Sequence, residues 1–84
     1  MDEVRMTVEL RLLKIFRSVF ANDHLVIHDS TTAGDVPGWD SLAHINLMFS
    51  IENEFGVQFT DDQLMSFADV GELRRFLESR TQVA

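Results

Sequence analysis

Cysteine is absent from this chain of 84 residues. Its absence removes disulfides, thiolate catalysis and cysteine-ligated zinc together, and leaves the fold to stand on apolar packing. A chain without disulfides suits a reducing cytoplasm, which is the expected location. Basic residues are scarce: seven Lys and Arg stand against fourteen Asp and Glu, for a formal net charge of -7. Such a field repels nucleic acid phosphates and anionic lipid, and speeds encounter with basic protein surfaces. Proteins are therefore the expected partners, with no nucleic acid and no membrane. Long apolar runs are also missing. The longest nearly uncharged stretch, Ser41 to Ile51, falls far short of the roughly 20 residues that span a bilayer. No secretory leader is expected, because Asp2 and Glu3 stand where a basic start would be.

What remains is enough for one small domain, expected over 1–84 with a core over about 7–80. A chain of this size buries only about 60–65% of the surface that its unfolded form exposes. It is too short for most two-layer enzyme folds with a buried active site, so a role other than catalysis is expected. The 45% hydrophobic content is ordinary for a globular protein. One small core needs all of these apolar faces, which predicts a monomer.

Apolar residues recur at helical spacing from about Thr7 to Phe20, where Leu12, Ile15, Phe16 and Val19 form a stripe flanked by Leu13 and Phe20. The polar pair Asn22 and Asp23 marks the helix end. Periodicity then vanishes as far as Asp40, across a long connection containing the only proline. Leu25, Val26, Ile27 and Val36 read as pins tying this loop to the core. The triplet Leu25–Ile27 has no pairing partner elsewhere, so no sheet is expected. A second helix is predicted from about Ser41 to Phe55, stopped by Gly56. Leu42, Ile45, Leu47, Met48, Phe49, Ile51 and Phe55 cover more than half of its girth, which places it at the centre of the molecule.

Thr60 with Gln63 has capping-box spacing for a short helix, and Asp69 with Glu72 has a similar spacing for a last helix through about Ser79. Val70, Leu73, Phe76 and Leu77 form its inner stripe. Arg74, Arg75 and Arg80 lie toward its end, where the helix dipole favours cations. The expected fold class is all-α, a four-helix bundle of three main helices, one short helix and a long first loop.

Ser41 stands at the junction of that loop and the second helix, and three readings compete for it. Asp40, Ser41 and His44 supply the residue types of a hydrolytic triad, but on one helical turn the acid and the base can scarcely both reach their partners. Capping is the plainer reading: Asp40 as N-cap, Ser41 at the first helical position and Trp39 as a hydrophobic staple. Attachment is the third, since a helix N-terminus holds an anionic phosphodiester and needs no base on this chain. His24 and His28 have the spacing of a helical metal pair, yet they fall in a loop without an obvious third ligand, so no metal site is expected.

The stretch "GWDSLAHINLMFSIENEFGVQFTDDQL" resembles the acyl carrier protein family, whose mark is Asp-Ser-Leu opening the second helix. Glu52, Glu54, Phe55 and Gly56 resemble the family's "EEEFG" run, and the likeness extends over about Leu10 to Leu77. The resemblance implies an acyl-carrier-type bundle and a carrier that is not an enzyme. It implies 4′-phosphopantetheine on Ser41, delivered from coenzyme A by a phosphopantetheinyl transferase. The arm would hold an acyl or aminoacyl group as a thioester, loaded by a ligase or transferase and passed to a downstream synthase or transferase. Asp40 then corresponds to the acid preceding the modified serine. Leu42 matches the leucine that partners grip, and Glu52 a recognition acid. Ile45 and Met48, with Phe49, fall where the second helix meets partners or the interior, and core packing is the competing reading for all three. Ala43 and Asn46 stand where carriers of bulk fatty acid synthesis usually have acids, and Asn53 interrupts the glutamate run. A specialised pathway is therefore expected: polyketide, nonribosomal peptide, modified lipid or aminoacyl transfer. The alternative is an unmodified acidic helical module that serves as an adaptor.

Overall fold

The computed structural model describes residues 3–80. Four helices follow one another: α1 (Glu3–Val19), α2 (Ser41–Phe55), α3 (Asp61–Leu64) and α4 (Val70–Arg80), with a 3-10 turn at Ala33–Asp35 inside the long first loop. No strand forms among the described residues. No described helix is long and apolar enough to cross a membrane.

The helix α1 begins a turn earlier than the apolar stripe requires. Its first turns carry polar residues, and Arg5 and Glu9 pair across one turn at 3.0 Å. Val8, Leu12 and Phe16 are its fully buried face, with Ile15 and Val19 beside them. Its C-terminus closes through Asn22 N–H donating to the Arg17 carbonyl and Ala21 N–H to that of Ser18, the pattern that normally places glycine in the left-handed region. Here Ala21 occupies it, at φ 49°. At the end of α2, glycine does take that role. Gly56 sits at φ 65° and donates its N–H to the Glu52 carbonyl at 2.9 Å.

α1 packs against both α2 and α4, and Leu47, Met48, Ile51, Leu73 and Leu77 complete the core. The breadth of apolar residues on α2 placed it at the centre of the molecule, but α1 is the helix that packs on two others, and Leu42 and Phe49 face solvent, so part of the apolar girth of α2 is surface. In the loop, Leu25 and Val36 are buried and Ile27 is half-buried, whereas Val26 points outward and pins nothing. Phe59, Phe67 and Phe76 meet as a trio of rings 5.4–5.8 Å apart and anchor the short α3, whose Thr60–Gln63 capping box is formed.

The loop is sewn onto the start of α4. Val70 N–H donates to the Thr31 carbonyl at 2.9 Å and Gly71 N–H to that of Asp29 at 2.8 Å. Only glycine permits that approach, since a Cβ at position 71 would stand 3.0 Å from the Asp29 carbonyl oxygen and from its Cβ. Gly71→Ala is expected to destabilise the fold by about 1–3 kcal/mol despite alanine's better helix propensity, read as a lower urea midpoint. Asp69 caps α4 by accepting from Glu72 N–H at 2.9 Å, while the Glu72 carboxylate turns back to Ala68 N–H.

Arg74 departs from its expected role at the helix end. It is buried, its Nε and Nη2 meeting the two Asp29 oxygens at 2.8 and 2.9 Å, with a further contact to Glu78. That fork clamps the loop to α4. The hydrogen bond from Arg74 holds the Asp29 carboxyl below the usual carboxylate range. A lowered folded-state pKa contributes stability that is full above the unfolded value and lost as pH falls through the folded one. Asp29→Ala is expected to lower stability by about 1–3 kcal/mol at neutral pH, Glu78 still facing Arg74. Urea titrations should show that difference shrinking below about pH 4.

Candidate functional site

The loop delivers Trp39 and Asp40 to the start of α2, and each has a defined structural task. Asp40 is the N-cap: its backbone is extended and its Oδ1 accepts from Ala43 N–H at 2.9 Å. Its main-chain carbonyl accepts from His44 N–H at 2.8 Å. Ser41 therefore occupies the first helical position, exposed, with its Oγ in no hydrogen bond among the described residues. The backbone N–H groups of Ser41 and Leu42 are likewise without an acceptor there. An exposed hydroxyl beside two unsatisfied amides and the positive end of a helix dipole is a favourable seat for a phosphodiester.

His44 is tied elsewhere. The Trp39 indole N–H donates to His44 Nδ1 at 3.1 Å, and His44 Nε2 lies 2.6 Å from the Leu64 carbonyl. Indole N–H only donates and a carbonyl only accepts, which fixes the tautomer with its proton on Nε2. Both ring nitrogens are engaged away from Ser41, so the triad reading of Asp40, Ser41 and His44 has no geometric basis. Trp39 and His44 also stack, 6.0 Å apart at 15°, so the staple position before the N-cap is filled as expected, by an aromatic pair. Behind Trp39 stand Phe16 at 5.4 Å and Phe20 at 5.8 Å. The bridge has no signal in the sequence, because nothing in the spacing shows that α3 ends against His44.

The expected recognition residues separate on inspection. Leu42 is 73% exposed and free to be gripped. Ile45 is half-buried. Met48 is 1% exposed, which corrects its place among surface contacts: it points into the core beside Leu47 and Ile51. Phe49 is the outward residue of that turn, at 53%. Glu52 is half-buried and accepts the Phe59 N–H at 2.9 Å, so part of its carboxylate is spent holding the α2–α3 connection. Met65, which spacing did not single out, is 70% exposed directly after α3. It closes the helix rather than continuing a stripe, so periodicity carries no signal for it. Along α2 the outward residues are Leu42, Asn46, Phe49 and Asn53, and the first exposed acid is Glu54, which pairs with Arg11 at 2.9 Å. His24 is exposed and its backbone N–H closes an Asn22 side-chain turn, while His28 N–H binds Thr31 Oγ1. No cluster of three potential metal ligands occurs among the described residues.

Residues 11–77 match the family model described as "Phosphopantetheine attachment site". No curated protein matches the chain. Among solved structures, the fold is similar to that of a holo acyl carrier protein from Geobacter metallireducens determined by solution NMR. The TM-score is 0.79 and the sequence identity 35%, covering 86% of this chain and 83% of that one. The family supplies a covalently attached 4′-phosphopantetheine, which fits the unengaged hydroxyl and amides at the start of α2. The chain belongs to the phosphopantetheine-attachment family and is a carrier protein of the acyl carrier fold rather than an enzyme.

Proposed function

We propose that Ser41 bears the 4′-phosphopantetheine, and that this single, monomeric domain carries an acyl or aminoacyl group in the cytoplasm for a specialised biosynthetic pathway. When bound, the group supplies a terminal thiol that holds the cargo as a thioester. The residues of the chain position it. Ser41 offers the oxygen at the helix N-terminus, and the acceptor-free N–H groups of Ser41 and Leu42 would meet the phosphodiester charge. Asp40 commits one oxygen to Ala43, leaving the other for a basic or metal-bearing transferase surface. The partners are a phosphopantetheinyl transferase, an acyl- or aminoacyl-loading enzyme, and a downstream synthase or transferase.

One observation supports the specialised pathway: the outward face of α2 carries no charge from Ser41 to Asn53. A partner that docks through an arginine-rich patch finds few acids on this helix face to meet it, because only Glu52 and Glu54 stand near it and each commits one carboxylate oxygen within the fold. Leu42, Phe49 and Met65 instead offer apolar contact. Interface cores depleted in charge and rich in Leu, Phe and Met rely on shape more than on electrostatic steering. The test is exchange into a reconstituted fatty acid synthase. The loaded protein is expected to support little elongation, and raising the salt concentration should not change that. Full elongation activity would overturn the specialised reading.

A further inference from the structure

The interior next to Ser41 is small and latched. A cavity of about 90 Å³ lies between the loop, α2 and the start of α4, lined by Leu47, Met48, Phe67 and Leu73, with Trp39 and His44 in its wall. Ligand pockets commonly run about 300–1,000 Å³, and a cavity of about 150 Å³ admits benzene. The space here holds at most a few carbon atoms. Two larger grooves, each about 510 Å³, are open and include no residue from 37–44.

Trp39 and His44 bracket Ser41 in the chain, and together they link three elements. Trp39 N–H reaches His44 on α2, and His44 reaches the Leu64 carbonyl at the end of α3. Spreading α2 from α3 to admit a chain would break the second bond and leave the half-buried Leu64 carbonyl and the His44 Nε2–H without partners, which opposes opening. The indole cannot swing aside freely either, because Phe16 and Phe20 back it.

We propose that the Trp39–His44–Leu64 bridge sets the cargo limit of this carrier: it closes the interior toward the arm on Ser41, so the carried group is short or polar and rides outside the helices. This rests on Ser41 being the attachment residue. The test loads the full chain with acetyl-, butyryl- and octanoyl-phosphopantetheine from the corresponding coenzyme A thioesters. Intact mass is read first, so that failure of attachment at Ser41 is seen separately. Amide NMR shifts at Leu47, Val70 and Leu73, and the rate at which hydroxylamine cleaves the thioester, then report where the acyl chain lies.

In the unaltered protein the three amides are expected to hold the same shifts from acetyl to octanoyl, with all cleavage rates alike. In His44→Ala, which deletes both bonds and keeps a good helix former, octanoyl should move these amides and slow cleavage several-fold. Trp39→Phe keeps an aromatic ring against Phe16 while removing the N–H donor and one ring of the indole, and it serves the same readout if His44→Ala fails to fold. Length-dependent core shifts in the unaltered protein would overturn the proposal. So would a core that stays closed to octanoyl in a folded bridge variant.

Discussion

Ser41→Ala is expected to abolish attachment of phosphopantetheine completely while leaving the fold intact. The hydroxyl makes no hydrogen bond among the described residues, and the cap of α2 is supplied by Asp40 through Ala43 N–H. An exposed substitution that touches no such feature shifts stability by no more than about 0.5 kcal/mol. Helical circular dichroism and the urea midpoint should therefore match the parent, while incubation with coenzyme A, magnesium and an active transferase gives no mass gain. Asp40→Ala should weaken the fold and slow loading without abolishing it. It removes a true cap, worth about 0.5–2 kcal/mol, and leaves the hydroxyl in place. Comparing the two separates a serine that is needed chemically from one that merely starts a helix.

Phe16→Ala is expected to bring the domain close to unfolding. Phe16 is fully buried on the central stripe of α1 and supports both Phe20 and Trp39. Truncating a buried phenylalanine costs about 3–5 kcal/mol. A domain of this length has only about 4–13 kcal/mol of total stability. The melting temperature should fall by about 12–40 °C. The single tryptophan reports the local effect: with its backing ring gone, Trp39 emission should shift to the red below the melting transition. A fall of only a few degrees, with unchanged emission, would show that Phe16 does not hold the loop in place.

Much of this fold can be read from spacing because the helices are amphipathic and their ends are chemically marked. Gly56, Asp40, the Thr60–Gln63 box and the Asp69–Glu72 pair all do what their residue types suggest. Ser41 is different: helix-end chemistry leaves capping and attachment both open, and the attachment reading comes from the resemblance carried by Asp40, Ser41 and Leu42. The features that were not legible depend on contacts between segments distant in sequence. Arg74 looks like a helix-end cation until Asp29, 45 positions earlier, is found beneath it. Met48 and Phe49 are both large apolar neighbours, and only the packing of α1 against α2 decides that one is core and the other surface. The bridge from His44 is not legible because α3, a helix of four residues, gives too little periodicity to show that it ends against α2. The end of α1 falls where Asn22 and Asp23 mark it, and only the alanine in the left-handed position, Ala21, is unannounced.

The most direct measurement is the intact mass of the unaltered protein after incubation with coenzyme A, magnesium and a broad-specificity phosphopantetheinyl transferase, followed by fragmentation to locate the modified residue. One phosphopantetheine per chain, on Ser41 within the stretch Trp39 to His44, is the expected result. No mass gain with several transferases that modify a control carrier, or a gain located on any other residue, would contradict the assignment of Ser41 as the point of attachment.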